Sequence, residues 1–139
     1  MQALVTGASG FVGANIVAAL NQAGWQARVL LRPTSSRAAL DGLRYEPALG
    51  DVTDARSLAE AMQGCDAVFH AAGVVADYWS QDATLTYRVN VDGTRHVVEA
   101  ALSAAAPRPR LVFTSSQSAL GFGEDQTPVD ENHRFNLAP

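Results

Sequence analysis

The feature that most constrains this chain is a glycine repeat close to its N-terminus. Gly7, Gly10 and Gly13 follow a short apolar run typical of a buried strand and precede apolar residues at helical spacing. Glycines at this spacing allow a tight turn, a close approach of the backbone to a phosphate, and close packing of helix on strand. The helix would point its N-terminal N–H groups at that phosphate. Because the repeat stands where this mechanism requires it, we favour a pyrophosphate-binding turn over a glycine turn that binds nothing.

Predicted strands and helices alternate along the rest of the sequence. The strands cover residues 3–5, 26–31, 43–49, 67–70 and 110–113, and the helices cover residues 11–23, the segment between Asp54 and Gly64, and residues 82–105. This order predicts one α/β domain over residues 1–139, a Rossmann-type doubly wound parallel sheet with helices on both faces. Ligands of such sheets bind beyond the carboxyl ends of the strands, so the residues that follow each strand are the informative ones.

Composition narrows the classes of partner. The net charge is -4 and there is no basic run, which argues against a nucleic-acid partner. No apolar stretch approaches the roughly 20 residues of a membrane span, and no basic region precedes the N-terminal apolar residues as it would in a signal peptide. Cys65 is the single cysteine, so no internal disulfide can form, in agreement with a cytoplasmic location. No metal site is predicted.

The residues after the second and third strands bear on the choice of cofactor. An acidic residue after the second strand usually meets the ribose 2′-hydroxyl of NAD, but Arg32 stands here, with hydroxyl residues and Arg37 nearby. A guanidinium suits a 2′-phosphate, which predicts NADP, with NAD possible; the alternative is a solvent-exposed arginine at the start of a loop. After the third strand, the carboxylate of Asp51 could accept from an adenine amino group while Val52 packs against the ring.

Small and hydroxyl-bearing residues follow the last two strands. Ala71, Ala72 and Gly73 would leave room beside a cofactor. His70 ends the fourth strand, where a histidine is more often structural than catalytic, so it is assigned no role. After the fifth strand come four hydroxyl residues within five positions, namely Thr114, Ser115, Ser116 and Ser118.

Five short motifs therefore follow one another in order: Thr6-Gly7-x-x-Gly10-x-x-Gly13, Gly50-Asp51-Val52, His70-Ala71-Ala72-Gly73, Asn90-Val91-Asp92-Gly93-Thr94 and Thr114-Ser115-Ser116. With them the chain resembles the extended short-chain dehydrogenases/reductases, also called the NAD-dependent epimerase/dehydratase family, and is most similar to the dihydroflavonol-reductase-like and hopanoid-associated sugar-epimerase-like branch. The resemblance implies an enzyme that transfers hydride between a nicotinamide cofactor and a nucleotide-linked sugar or a hydroxy/keto compound.

The resemblance also implies a role for each matching residue. The pyrophosphate would be held by Gly7, Ser9, Gly10, Phe11, Val12 and Gly13, the adenine by Asp51 and Val52, and the nicotinamide-side ribose by Ala71, Ala72 and Gly73. Asn90 matches a residue that organises the active site in relatives. Ser116 aligns with the catalytic serine, which hydrogen-bonds the substrate oxygen, and Ser118 is the second choice.

The chemistry of the family also requires a tyrosine followed four residues later by a lysine. The tyrosines here are Tyr45, Tyr78 and Tyr87, and the chain has no lysine, since all ten of its basic residues are arginine. We therefore expect an N-terminal, cofactor-binding part of a longer protein, with the sheet truncated after about five strands and no activity of its own. Its exposed sheet edge predicts self-association or a homodimer. Tyr78 and Trp79 could line the substrate side or simply pack in their loop.

Two other classes of function compete with the enzyme. The first is a non-catalytic redox sensor that binds NAD(P) and acts through a protein partner, and the second is a purely structural domain. The motif Thr114-Ser115-Ser116 favours the enzyme, because a sensor does not need it. A structural domain is disfavoured because the entropic cost of the glycine turn would then serve no purpose.

Overall fold

The computed structural model describes residues 1–75, 83–121, 123 and 128–136. The strands are β1 (Gln2–Thr6), β2 (Gln26–Leu31), β3 (Glu46–Leu49), β4 (Ala67–His70) and β5 (Arg110–Phe113). The helices are α1 (Phe11–Gln22), α2 (Ala55–Met62), α3 (Ala83–Tyr87) and α4 (Gly93–Ser103), and a π-helical segment (Arg88–Asp92) joins α3 to α4. Short 3₁₀ helices cover Ala38–Leu40 and Gln117–Leu120. The predicted positions of Tyr78 and Trp79 lie outside the described residues.

The strands form one parallel sheet in the order β3-β2-β1-β4-β5. The chain begins at the centre, winds outward to β3, and then crosses back to β4 and β5, so its direction of winding reverses between β1 and β4. The ends of the three strands around this point are aligned, because Thr6 pairs with His70 and His70 with Phe113. The predicted Rossmann-type architecture is confirmed, and the point of reversal is where sheets of this kind bind ligands.

Helices cover both faces of the sheet, which explains why its central strands are apolar at nearly every position. Successive side chains of a strand point to opposite faces. Ala3 and Val5 therefore pack in one buried cluster with Val17 of α1, whereas Leu4 packs in the other with Val97 of α4. The two clusters fix the sheet between its helical layers and hold the strand ends in place.

Most element bounds agree with the sequence prediction. β2, β4 and β5 have the predicted limits, and Asp54 caps α2 by accepting from the N–H of Arg56 at 3.0 Å. β3 begins at Glu46, later than predicted, because the N–H of Leu43 donates to the carbonyl of Leu40 at 3.1 Å and belongs to the preceding turn.

The predicted helix over residues 82–105 is interrupted by the π-helical segment. The wider π turn rotates the residues before it relative to those after it, so a continuous 3.6-residue period does not predict the buried face. The prediction that Leu85 and Leu102 face inward is wrong: they are 46% and 58% exposed, whereas Val97 and Ala101 are buried. Leu102 lies in α4 together with Val97, and five residues of a regular helix place the two about 140° apart around its axis. None of the described helices is long and apolar enough to cross a membrane.

Candidate functional site

A cavity of about 240 Å³ opens at the carboxyl ends of the strands, between the segments that follow β1 and β4. Its lining consists of Gly7, Ser9 and Gly10 after β1, Arg32 and Ser35 after β2, Gly50, Asp51 and Val52 after β3, Ala71 to Val74 after β4, and Leu30, Leu85 and Val89. The structure thus brings most of the predicted cofactor-binding residues to one place. Phe11, Val12, Gly13, Asn90 and Ser116, all described, stand outside this lining.

Two of the three glycines are required by the fold itself. Gly7 has a φ of +71°, and a Cβ placed on it would lie 2.6 Å from the backbone of Ala71 and Ala72. A Cβ on Gly13 would overlap the carbonyl of Gly7, so the first turn of α1 could not approach the turn after β1. The predicted tight turn and close helix packing are therefore present.

The N-terminus of α1 faces the same turn and carries no side-chain cap. Gly10 is the N-cap residue; its N–H donates to the carbonyl of Gly7 at 3.0 Å, and its carbonyl accepts from the N–H of Ala14 at 3.0 Å. The N–H groups of the intervening residues have no partner within the helix. Phe11 is 85% exposed and Val12 is also exposed, and N–H groups in the first turn of a helix favour the binding of an anion.

Reciprocal hydrogen bonds fix the loop after β2. The N–H of Arg32 donates to Ser35 Oγ at 3.1 Å, and the N–H of Ser35 donates to the carbonyl of Arg32 at 3.0 Å. Both residues line the cavity, and Arg32 is exposed. Among the described residues, no ion pair engages its guanidinium. The side chain of Arg32 is thus a cation at the cavity wall.

The carboxylate of Asp51 stiffens the loop after β3. Its Oδ1 accepts from both the N–H and the hydroxyl of Thr53, each at 2.9 Å, and the N–H of Asp51 donates to Ser57 Oγ at 3.1 Å. No hydrogen bond within the described part of the chain engages Oδ2. Val52 is buried, and a Cβ on Gly93 would lie only 2.9 Å from its Cγ2. The glycine of the Asn90–Thr94 motif therefore lets α4 pack onto Val52.

Asn90 holds the loop after β4 rather than facing the cavity directly. Its Oδ1 accepts from the N–H of Val74 at 2.9 Å, and its Nδ2 donates to the carbonyl of Val74 at 2.8 Å. Asn90 belongs to the π-helical segment, a feature that is frequent at functional sites. Its predicted cofactor contact stays a prediction, while its contact with the cavity wall runs through Val74.

His70 is buried at the end of β4, where only 1% of it is exposed. Its Nδ1 lies 2.6 Å from Thr6 Oγ1 and its Nε2 lies 3.0 Å from Thr94 Oγ1. Its ring stacks on that of Phe113 with 5.6 Å between centroids. Burial lowers the pKa of the His70 imidazole. The sequence assigned no role to Thr6 or Thr94, although both stand inside the quoted motifs, because a contact between β1, β4 and α4 leaves no trace in sequence spacing.

Ser116 is exposed and lies beyond the C-terminal end of β5. It is the N-cap of the 3₁₀ helix Gln117–Leu120, and its Oγ accepts from the N–H of Ser118 at 3.2 Å. Within the described part of the chain, no partner accepts the hydroxyl hydrogen of Ser116. The catalytic roles of Ser116 and of the alternative, Ser118, remain predictions.

Two relatives of known name match this chain over nearly all of it. Sterol demethylase protein B of Methylococcus capsulatus is 42% identical over 139 residues, which cover 100% of this chain and 40% of that protein. The 3-beta-hydroxysteroid dehydrogenase of Mycolicibacterium neoaurum is 37% identical over 142 residues, covering 96% of this chain and 38% of that protein. The chain thus spans about two fifths of the length of these relatives.

A solved structure shares the same arrangement. A short-chain dehydrogenase/reductase superfamily protein from Agrobacterium tumefaciens, crystallised with bound NAD, matches with a TM-score of 0.80 and 32% identity over 100% of this chain and 40% of that one. The sequence profile of the NAD-dependent epimerase/dehydratase family matches residues 3–138. With the fold, the ordered motifs and these relatives in agreement, this chain belongs to the NAD-dependent epimerase/dehydratase family.

Proposed function

We propose that this chain binds a nicotinamide dinucleotide across the cavity with a preference for NADP, as the cofactor-binding part of a cytoplasmic oxidoreductase or epimerase. The observation that carries the proposal is Gly10. Its backbone is extended, with φ -92° and ψ 171°, a conformation open to any residue. A Cβ placed there would meet the carbonyl oxygen of Gly7 at an ordinary 3.4 Å.

Neither strain nor packing among the described residues therefore requires a glycine at position 10, in contrast to Gly7 and Gly13. Gly10 does line the cavity, beside the uncapped N-terminus of α1. A side chain here would take up space at the cavity wall and keep a phosphate away from the helix N–H groups. The close approach of a dinucleotide pyrophosphate supplies the missing reason for this glycine.

The preference for NADP is proposed from Arg32. Arg32 lines the cavity after β2 together with Ser35, and no acidic residue is among the cavity-lining residues of that loop. A carboxylate at this position would repel a 2′-phosphate, whereas an arginine can bind it by charge-assisted hydrogen bonds. The Agrobacterium relative was crystallised with NAD, so the 2′-phosphate is the feature that the experiment has to test.

The bound dinucleotide would supply the hydride donor or acceptor. This chain would bind the pyrophosphate at the glycine turn and leave room for the nicotinamide-side ribose at Ala71 to Gly73. Asp51 Oδ2 would accept a hydrogen bond from the adenine amino group. Ser116 would hold the substrate oxygen. Because the sequence has no lysine and hence no Tyr-x-x-x-Lys pair, we propose that the chain alone does not turn over substrate.

The class of substrate is proposed from the relatives. Two of them, at 42% and 37% identity, carry names that refer to sterols and hydroxysteroids. We therefore favour a hydroxy or keto compound over a nucleotide-linked sugar. Val112 and Phe113 of the edge strand β5 are 42% and 53% exposed, which supports the proposal that the isolated chain self-associates.

Calorimetric titration of the chain with NADPH and NADH tests the proposal. Arg32→Ala should weaken NADPH binding roughly tenfold to a hundredfold, since it removes charge-assisted hydrogen bonds, and should change NADH binding less than about twofold. Arg44→Ala is the matched control, because Arg44 is an exposed arginine before β3, at the amino ends of the strands and outside the lining of the cavity. Equal affinities for NADPH and NADH that survive Arg32→Ala would refute the preference for NADP.

A further inference from the structure

The imidazole of His70 stands at the centre of a chain of hydrogen bonds that passes under the cavity wall. Thr6 Oγ1, which is bonded to His70 Nδ1, also accepts from the N–H of Ala72 at 3.3 Å. Thr94 Oγ1, which is bonded to His70 Nε2, donates to the carbonyl of Asn90 at 2.7 Å. His70 therefore links the glycine turn, through β1, to the π-helical segment.

The side chain of Asn90 closes this chain into a ring, because it holds the N–H and the carbonyl of Val74. Both ends of the segment from Ala72 to Val74 are thus tied to His70, one through Thr6 and the other through Asn90. This segment lines the cavity.

We infer that His70 and Thr94 are positioning residues of the dinucleotide site, which act on the cofactor by fixing the wall segment from Ala72 to Val74. The inference deepens the proposed function and rests on it. Neither residue touches the dinucleotide. They affect its binding through the ring of hydrogen bonds.

The hydrogens of the ring follow from counting donors and acceptors. The carbonyl of Asn90 can only accept, so the hydroxyl of Thr94 uses its single proton there and accepts from His70 Nε2. Nε2 of the neutral ring therefore carries the hydrogen, and Nδ1 accepts from the hydroxyl of Thr6. Each donor meets one acceptor, so losing a single member breaks the continuity of the ring.

Close backbone contacts leave the wall segment little freedom to compensate. A Cβ on Gly7 would lie 2.6 Å from the backbone of Ala71 and Ala72, and the side chain of Asn90 holds the N–H and the carbonyl of Val74. The segment is therefore held between the glycine turn and the π-helical segment. A displacement on the side of Asn90 would change the space that is left for the half of the dinucleotide beyond the pyrophosphate.

The test compares Thr94→Val, which keeps the shape and removes the hydroxyl, with Thr94→Ser, which keeps the hydroxyl. NADPH and NADH are titrated beside ADP, which ends at the pyrophosphate. We expect Thr94→Val to weaken binding of the preferred dinucleotide about tenfold, as for the loss of one hydrogen bond with its partner left unpaired. ADP binding should change less than about twofold, and Thr94→Ser should behave as the wild type.

Amide hydrogen exchange at Val74 gives a second readout that needs no ligand. Exchange should accelerate in Thr94→Val and not in Thr94→Ser. Equal losses of dinucleotide and ADP affinity, or an unchanged exchange rate at Val74, would overturn the inference. Failure of the wild type to bind dinucleotide and ADP would refute the proposed function instead, and the exchange rates would then still decide the role of Thr94. Thr94→Ala, with its high helix propensity, replaces Thr94→Val if that variant does not fold.

Discussion

The turn after β1 and the turn after β5 both lie at the carboxyl ends of the strands, yet they are built differently. The first, from Gly7 to Gly10, is made by backbone contacts, with Gly7 pressed against the loop after β4 and the start of α1 pressed against Gly7. The second, from Thr114 to Ser116, is exposed, and Ser116 Oγ bonds only locally, to the N–H of Ser118, among the described residues.

This difference separates the two parts of the proposed function, dinucleotide binding and the contact with substrate. The geometry of the glycine turn is fixed by contacts within this chain, so dinucleotide binding can be tested on the chain as it stands. The hydroxyl turn presents side chains whose proposed partners, a tyrosine followed four residues later by a lysine, do not occur as a pair in this sequence. Substitutions at the first turn should therefore affect stability or binding, and those at the second should affect neither strongly.

The largest effect is expected for Gly7→Ala. A left-handed φ alone costs an alanine roughly 1 kcal/mol, and the 2.6 Å approach to Ala71 adds strain that brings the expected loss of unfolding free energy to about 3 kcal/mol or more. Gly24→Ala is the matched control, since Gly24 has a φ of +74° and nothing within 4 Å of its Cβ position. Gly24→Ala should lose about 1 kcal/mol of unfolding free energy in urea denaturation. Equal losses for the two variants would show that the approach of Gly7 to Ala71 adds no strain in Gly7→Ala.

A smaller effect is expected for His70, which contacts Thr6 and Phe113, the last strand residues before the two turns. Because burial lowers the pKa of His70, the unfolded chain binds this proton more readily than the folded chain. The unfolding free energy should therefore fall as the pH drops below about 6.5 and level off below the lowered pKa.

The variant His70→Phe removes the titrating group. It should be less stable than the wild type by about 2 kcal/mol at pH 8, because it loses two buried hydrogen bonds, and its stability should depend less on pH between pH 8 and 5.5. Urea denaturation across this range measures both quantities. Parallel pH curves for the two proteins would contradict the assignment of His70 as a buried, neutral group.

The smallest effect is expected for Ser116→Ala. Its Oγ makes an exposed hydrogen bond to the N–H of Ser118 that water can replace, so the unfolding free energy should change by about 0.5 kcal/mol or less. The affinity for NADPH should stay within about twofold of the wild type. A large loss of dinucleotide affinity would place Ser116 in the cofactor site and remove the contrast between the two turns.

The sheet could be predicted from the sequence because its signals are local. The apolar runs that form β2, β4 and β5 gave their observed limits, and Asp54 marked the start of α2. The π-helical segment could not be predicted, since one widened turn leaves the composition of the helix unchanged and alters only the angular offset between residues before it, such as Leu85, and residues after it, such as Val97.

Contacts between residues far apart in the sequence could not be predicted either. Arg28 stands within β2, and its Nη1 donates to the carbonyls of Ala61 and Gln63 at 2.9 and 2.7 Å, at the C-terminal end of α2. The only sign of this contact in the sequence is a charged residue inside a strand that is covered on both faces. The ring of hydrogen bonds around His70 could not be predicted for the same reason, because its members come from four separate elements.

The central claim is that Gly7 serves the fold whereas Gly10 serves a ligand. Calorimetric titration of the wild type and Gly10→Ala with NADPH, together with their urea denaturation curves, tests it most directly. The wild type should bind NADPH saturably, and Gly10→Ala should bind it at least about tenfold more weakly with an unchanged denaturation midpoint. Wild-type affinity in Gly10→Ala, or a loss of stability as large as that of Gly7→Ala, would contradict the account.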